Sequence, residues 1–343
     1  MNIIIKIINI IKKIFKSLGK KERKIIHLIK YLTWLNRNDT RDLDFTEENI
    51  LKNKNFFLEN KLWPEKIATF IIFSYNENRL KFIARICKNI EKININTDIT
   101  IIVNAEGFEK KEIIEKTIKE HSTLTVNFFC PQNLLDPRLL TYAHFEMVKE
   151  KIKDKSYSHF LYLEDDILIN EENIKYWITA RESLKPFGLI PVFLRSEINN
   201  ENKEKYLVDS LVKNRFFFQP KIFNKNKKFA FTNLLNFFTP TYFYDRELML
   251  EHLSGPSRSI DFGHGTFDQR SINPNMQELG VMERASTLLA FKNVPRGFLH
   301  RNVVPVNVVD KSLREYCLIE HLSNKFTNEP GYHGNIKVKE IFY

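Results

Sequence analysis

A chain of 343 residues with a hydrophobic fraction of 43% can bury a sizeable core, and ten Gly and twelve Pro exclude a low-complexity protein. Cys87, Cys130 and Cys317 are far apart and form no CxxC pair, which excludes a disulfide-stapled or zinc-ribbon domain and fits a reducing cytoplasm. The net charge of +11 is concentrated at the amino terminus, where residues 1–30 hold nine Lys and Arg against Glu22. The remainder is nearly neutral, so nucleic acid is not an expected partner.

In the first eighteen residues Ile4, Ile7, Ile8, Ile11, Phe15 and Leu18 recur at helical spacing with Lys12, Lys13 and Lys16 between them. Lys6 and Lys12 break any signal-peptide core, and the run falls short of the roughly 20 apolar residues of a membrane span. The expectation is a basic amphipathic helix, with residues 1–24 lying on an anionic membrane surface at the inner face of the cytoplasmic membrane; packing on the body or a partner is the alternative. Residues 31–66 are polar and mixed, and a boundary near Trp63-Pro64 divides an amino-terminal segment, 1–63, from a catalytic domain, 64–343.

From there strands and helices alternate. Ala68–Phe73 reads as a strand ending at Ser74-Tyr75-Asn76, and Leu80, Ile83, Ala84, Cys87 and Ile90 mark a helix. Ile99–Val103 is a second strand, ending at Asn104-Ala105-Glu106-Gly107. A helix with Ile113, Ile114 and Ile118 follows, then a strand at Thr125–Cys130 and a helix over Arg138–Lys153. A fourth strand, Phe160–Leu163, runs into Glu164-Asp165-Asp166. This alternation predicts a parallel sheet with helices on both faces, in which ligands bind beyond the carboxyl ends of the strands. Ser74, Asn76, Glu106 and the three acids all fall at those ends.

Three consecutive carboxylates at one strand end repel one another unless a cation neutralises them, and a hard divalent ion such as Mn2+ or Mg2+ does so well. Strand alternation predicts that Glu164 and Asp166 face one way and Asp165 the other. The bland alternative is an acidic turn capping the next helix, with Asn170 as N-cap and Glu171 and Glu172 in its first turn. It accounts for residues 170–172, and not for acids set directly behind a buried strand.

On these motifs, Phe73-Ser-Tyr-Asn-Glu-Asn-Arg79, Glu106 and Glu164-Asp165-Asp166, the stretch from about 66 to 180 resembles the GT-A nucleotide-sugar transferases. Within them it looks most like the N-acetylglucosaminyltransferases that begin complex N-glycan branching. The resemblance implies an α/β, Rossmann-like, mostly parallel sheet flanked by helices, with a nucleotide-sugar donor half at 64–180 and an acceptor half at 181–343. It implies that Asp166 ligates Mn2+ against the donor diphosphate, that Asp165 approaches the ribose, and that Glu164 lies close to the sugar or ribose. It also implies a donor role for Ser74, Asn76 and Arg79 and places Glu106 near the base. The chain lacks the secretory anchor of the Golgi enzymes, so a cytoplasmic relative is expected.

In the second half Asn233–Thr239 reads as a strand, with Tyr242 and Tyr244 as sugar-stacking candidates against a core reading. Ser254-Gly-Pro-Ser-Arg-Ser and Gly263-His264-Gly265 form the most turn-rich region, a loop that could close over the substrates or a plain surface loop. Asp261, Asp268, Glu278 and Glu283 compete as the base that accepts the proton of an attacking hydroxyl in an inverting transfer. Glu283 comes first, for its resemblance to a later acidic motif of GT-A enzymes, and Asp268 second. Leu288–Phe291 and Gly297–Val304 read as strands. His300, within the second of these, is a candidate late ligand of metal or diphosphate, against a structural histidine. Asp310 is expected to cap a final helix carrying Leu313, Tyr316, Cys317 and Leu322.

The expected activity is metal-dependent transfer of a sugar from a UDP-linked donor to a saccharide or glycolipid acceptor, with bacterial surface polysaccharide as a setting. A nucleotidyltransferase is the nearest rival, but it ordinarily has a Gly-rich loop after its first strand and Ser74–Arg79 holds no Gly. A phosphatase wants an Asp followed two residues later by another, which Asp165-Asp166-Ile167-Leu168 does not supply. A non-catalytic nucleic-acid or membrane-associated protein driven by the basic terminus is the remaining alternative.

Overall fold

Strand β1 (Ile67–Phe73) is buried at all seven positions, as a strand covered on both faces requires, and its sequence is accordingly apolar almost throughout. The computed structural model describes residues 43–132, 134, 136–210, 212–235, 238–255, 280–329 and 334–343. The helix expected over residues 1–24, the Gly263-His264-Gly265 turn, and Asp261, Asp268 and Glu278 lie outside them.

The central sheet has the order β11-β4-β1-β2-β3. β2 (Thr97–Val103), β3 (Val126–Phe129) and β4 (His159–Glu164) run parallel to β1, and β11 (Tyr242–Asp245) closes the edge antiparallel to β4. Ile72 is level with Glu164 and Phe73 with Val103, so the chain leaves β1, β2 and β4 at one line. A short helix, α1 (Lys54–Glu59), precedes the sheet, and α2 (Leu80–Ile93) follows β1. α2 buries Leu80, Ile83, Ala84, Ile86, Cys87, Ile90 and Ile93 and stops at Asn94, which adopts a left-handed φ of 53°. α3 (Ala105–Glu109) and α4 (Lys111–Lys119) follow β2.

The helix expected over Arg138–Lys153 is divided. Asp136 caps a 3-10 turn that starts at Pro137 and runs to Tyr142, and only α5 (His144–Lys151) is α-helical. After the triplet, α6 (Glu171–Leu184) starts at the expected cap: Asn170 accepts from Asn173 N at 3.0 Å and donates its own N–H to Asn173 Oδ1 at 2.9 Å.

Two further sheets carry the second half. One has the order β6-β12-β10-β9, from β6 (Ile190–Pro191), β9 (Lys221–Phe223), β10 (Phe229–Thr232) and β12 (Asn302–Asn307). The other has the order β14-β8-β7-β13-β5, from β5 (Ile167–Leu168), β7 (Leu194–Ile198), β8 (Lys205–Leu207), β13 (Leu318–His321) and β14 (Ile336–Lys337). The protein is therefore α/β with a mostly parallel central sheet, while these two sheets mix parallel and antiparallel pairs. α7 (Arg246–Leu253) packs on β4 and β11, and α8 (Val281–Thr287) lies against the turn at residues 137–142.

Several expected elements take other forms. Asn233–Thr239 is not a strand: β10 ends at Thr232, and buried Asn233 holds the next turn by donating to the carbonyls of His300 and Asn302 at 3.0 and 2.7 Å. Leu288–Phe291 is a 3-10 turn, and the strand expected at 297–304 runs instead over β12. The final helix is absent from its expected place. Leu313 makes an isolated bridge to Val306, Glu315–Cys317 is a 3-10 turn, and Leu318–His321 is β13. Leu43, Phe45, Ile50, Phe57 and Trp63 belong to the same hydrophobic cluster as strands on both sides of residue 180. Among the described residues no helix is long and apolar enough to cross a membrane.

Candidate functional site

The pleat of β4 ends at Glu164, and the next two residues turn before β5, so strand alternation does not continue through the acids. Asp165 and Asp166 face together onto Arg79, whose Nη2 lies 2.5 Å from Asp165 Oδ1 and 2.6 Å from Asp166 Oδ2. Glu164 turns away to Arg195 Nη1 at 3.3 Å. The expected pairing of Glu164 with Asp166 is thereby replaced by a pair formed from Asp165 and Asp166.

Both aspartates are buried, at 4% and 3% exposure, which excludes the solvated acidic turn. Among the described residues, Asp165 Oδ2 and Asp166 Oδ1 are buried without a hydrogen-bond partner. A buried carboxylate oxygen left in this way is costly, at roughly 1–3 kcal/mol or more. Arg79 neutralises only one of two adjacent negative charges.

Asp166 has a second polar neighbour. His321, at the end of β13, places Nε2 3.0 Å from Asp166 Oδ2, and its Nδ1 lies 2.5 Å from Glu197 Oε1 on β7. Burial raises the Asp166 pKa, but the His321 hydrogen bond, with the charges of His321, Arg79 and Arg195, outweighs it and holds the carboxyl at about 2. Asp165 is pushed well above the usual carboxylate range by burial, against the pull of Arg79 and with the charges of Asp166 and Glu164 adding to it. Burial likewise lifts Glu164 to about 7, although Arg195 opposes the shift. For His321, burial lowers the pKa, and the bonds to Asp166 and Glu197 reverse that and raise it. The backbone is tied in as well, since Leu322 N donates to Asp166 O at 2.7 Å.

Beyond Glu164, Arg195 grips Asp209 through Nε at 2.9 Å and through Nη2, between the rings of Phe238 and Phe326. At the neighbouring strand end Asn104 Oδ1 accepts from Tyr75 N and Gly107 N, both at 3.1 Å, and so joins the loops after β1 and β2. Gly107 is required there: a Cβ would stand 2.9 Å from Val103 Cβ and 3.0 Å from Asn104 Oδ1.

The sequence-derived residues divide accordingly. Arg79, Asp165 and Asp166 form one cluster, with Glu164 beside it. Ser74, Asn76 and Glu106 are exposed at the same sheet edge, with the Asn76 carboxamide oxygen engaged in capping at Asn78 N, 2.9 Å away. His300 is not a ligand of this cluster. It is buried, its Nε2 pairs with Leu234 O at 3.0 Å and its Nδ1 faces Asn233 Nδ2 at 3.3 Å, so both ring nitrogens are occupied. Tyr242 and Tyr244 are core residues of β11, with Tyr242 stacked on Tyr162 at 5.2 Å, and offer no platform to a sugar. Glu283, in the first turn of α8, folds its carboxylate over Gly280.

His321, Glu197, Arg195 and Asp209 escape the sequence reading. Their signal is visible in retrospect in Leu-Arg-Ser-Glu-Ile at 194–198, where two charged residues two apart interrupt a strand and therefore share one face.

Among the described residues no three His, Cys, Asp or Glu side chains form a metal cage. Asp166 and His321 make an open half-set instead, which fits a cation whose remaining ligands are phosphate oxygens and water. The unpartnered oxygens beside them are the observation in favour of that fit.

No protein-family model matches the chain, and no curated protein matches it. Among solved structures, the mannosyltransferase PcManGT from Pyrobaculum calidifontis, in complex with GDP-Man and Mn2+, is similar over 94% of this chain and 70% of its own, at 12% identity and a TM-score of 0.41. GalNAc-T7 with UDP, GalNAc and Mn2+ is similar over 93% of this chain and 54% of its own, at 12% identity and a TM-score of 0.42. A 4-diphosphocytidyl-2C-methyl-D-erythritol synthase from Anaerococcus prevotii matches 57% of this chain and 80% of its own, at 11% identity and a TM-score of 0.31. Likenesses this distant select no activity, and the site has to carry the functional reading.

Proposed function

We propose that this protein is a metal-dependent GT-A-type glycosyltransferase that moves a sugar from a nucleoside diphosphate donor, UDP-linked, to a saccharide or lipid-linked acceptor. The observation that supports this most is the pair of buried, unpartnered carboxylate oxygens on Asp165 and Asp166, set beside His321 where β1, β2 and β4 end together.

Asp166 and His321 are the residues that would hold Mn2+ or Mg2+. When bound, such an ion stabilises the negative charge that develops on a departing diphosphate. Arg79 keeps the two aspartates together and places a partly exposed guanidinium where an anionic ligand arrives. Asp165 is assigned to the ribose hydroxyls, and Glu164, steadied by Arg195, to the sugar or ribose. Ser74, Asn76 and Glu106 flank the nucleoside side of the same edge. For the base that takes the acceptor proton, Glu283 is the first assignment and Asp268 the second. Residues 1–24 are assigned to an anionic membrane surface.

The test is a thermal-shift panel of nucleotide sugars with and without Mn2+, on the wild type and on Asp166→Asn. A ligand that binds only the native state raises stability by mass action, by about 2.7 kcal/mol at a hundredfold excess over Kd. One donor class should shift the wild type only with the metal present, and Asp166→Asn should lose the shift. Indifference to every nucleotide sugar and every divalent ion would sink the reading.

A further inference from the structure

Arg195 and Glu197 lie two apart on β7, and Ile319 and His321 lie two apart on β13, which pairs with it in parallel through Leu318↔Leu194, Ile319↔Arg195 and Glu320↔Ser196. That register brings Glu197 beside His321. Glu197 is 2% exposed and makes three contacts: Oε1 takes the His321 Nδ1 contact at 2.5 Å and the Phe326 N–H at 3.3 Å, and Oε2 accepts from Thr327 N at 2.7 Å. No part of the catalytic proposal above uses it. A carboxylate is an acceptor only, so the imidazole nitrogen facing it must carry a hydrogen.

We propose that Glu197 is a positioning residue that fixes His321 as the Nδ1–H tautomer, so that the Nε2 lone pair is presented beside Asp166 to a divalent cation. This rests on the metal-binding reading of the site. Asp166 and His321 come from elements more than 150 positions apart in the chain; in the metal-free protein Asp166 Oδ2 faces Nε2 as an acceptor, and once a cation stands between Asp166 and Nε2, Glu197 is the group that holds the remaining hydrogen on Nδ1. Ser323 Oγ lies 3.3 and 3.2 Å from the two ring nitrogens and, as donor or acceptor alike, favours neither. Outer partners of this kind commonly hold a metal-binding histidine in place, and losing one costs roughly ten- to hundredfold in affinity.

Glu197→Gln separates this role from a merely structural one. Its carboxamide oxygen can still accept the strong Thr327 N–H. The NH2 group then stands at Nδ1 as a donor, giving up the long 3.3 Å Phe326 N–H contact, and drives the ring to the Nε2–H form, which turns a hydrogen toward the metal position. The reverse placement sets the NH2 against the Thr327 N–H and loses the 2.7 Å bond, the stronger of the two backbone contacts, instead of the 3.3 Å one.

The experiment titrates Mn2+, in the presence of UDP, into the full chain and follows free Mn2+ by electron paramagnetic resonance. The proteins are the wild type, E197Q, His321→Ala and the double variant. Expected is a roughly ten- to hundredfold loss of Mn2+ affinity in E197Q, a metal-free melting point close to wild type, and little further effect of E197Q in the His321→Ala background. Equal effects in both backgrounds, or none in the wild-type background, would overturn the proposal. A wild type that binds no Mn2+ overturns both the metal reading and the relay, whereas tight binding by wild type and E197Q alike overturns the relay alone. If E197Q fails to fold, Glu197→Asp keeps the charge, draws it back from Nδ1 by one methylene, and should show the same loss in smaller measure.

Discussion

Asn173 offers a test of how the site is assembled. It lies in the first turn of α6, directly after the acids, with no exposed surface, and its Nδ2 donates to Tyr316 O at 2.7 Å and Leu318 O at 2.9 Å. Those carbonyls open the segment that ends at His321, so one carboxamide ties the start of α6 to the strand bearing the histidine. Asn173→Ala leaves two buried carbonyls without a donor, at about 1–3 kcal/mol each. It also removes half of the capping box, worth about 1 kcal/mol. The expected loss is about 3–7 kcal/mol, which lowers the melting point by roughly 5 °C or more. Asn173→Asp is the sharper variant. It keeps the acceptor for Asn170 N and gains about 1 kcal/mol from negative charge in the first helical turn. Yet it faces two carbonyls with an acceptor, and that term is several times larger. Urea titration should therefore rank wild type above both variants, with Mn2+ affinity falling alongside stability because His321 is no longer held to the triplet. An Asn173→Asp protein as stable as wild type would refute the reasoning, since the helix end would then outweigh the two carbonyls.

Burial holds His144 near 3, His159 and His300 near 4, and His252 well below its ordinary value, so all four are neutral in the folded protein at neutral pH. A depressed folded-state pKa gives stability that is complete above about 6.5 and lost as pH falls toward the folded values, at roughly 1.4 kcal/mol per unit for each group. Between pH 7.5 and 5.5 these four rings alone remove several kcal/mol of stability, while Glu164, Asp165 and His321, all shifted upward, act in the opposite sense; NMR titration of the folded protein should therefore show the four rings still unprotonated at pH 5.5, and a ring that titrates near 6.5 contradicts its burial. Gly107→Ala should cost roughly 1–3 kcal/mol by pushing Val103 and Asn104 apart, and should weaken donor binding because the loops after β1 and β2 move with them. Wild-type urea midpoints and thermal shifts would show that the loops absorb the extra carbon.

The central sheet was legible because its strands are short apolar runs that end in polar turns, a pattern local in sequence and repeated. The same locality gave the Asn170 cap and the strand end at Glu164. The second half resisted for a physical reason. Leu313, Tyr316, Cys317 and Leu322 have helical spacing, but Cys317-Leu-Ile is also a buried strand, and periodicity alone does not arbitrate short apolar runs. His321 ends that strand without any local signal of its own, whereas His300 stands beside Arg296 and Arg301 and has the look of a ligand in sequence. The turn at 137–142 is an error of another kind, because Asp136 and Pro137 start a 3-10 segment whose apolar spacing looks continuous with α5.

The divided legibility follows from where the acids stand. Glu164 closes a strand of the central sheet, and Ile167-Leu168 already belongs to another sheet, paired with β13. Asp165 and Asp166 are the two residues that cross between them. Their first partner, Arg79, comes from the well-patterned donor half and is 86 positions away from Asp165, whereas His321 arrives through the pairing of β5 with β13. A seam between sheets gathers side chains by long-range register, which depends on the packing of whole strands rather than on any local signal. The same seam explains why buried acids are tolerated here: they sit where two frameworks meet, Arg79 coming from one and His321 from the other, and the oxygens still unpartnered are those left between the frames. Disturbing β5 at Ile167 or Leu168 should therefore damage the Asp166–His321 contact while leaving the contact between Arg79 and Asp165 in place.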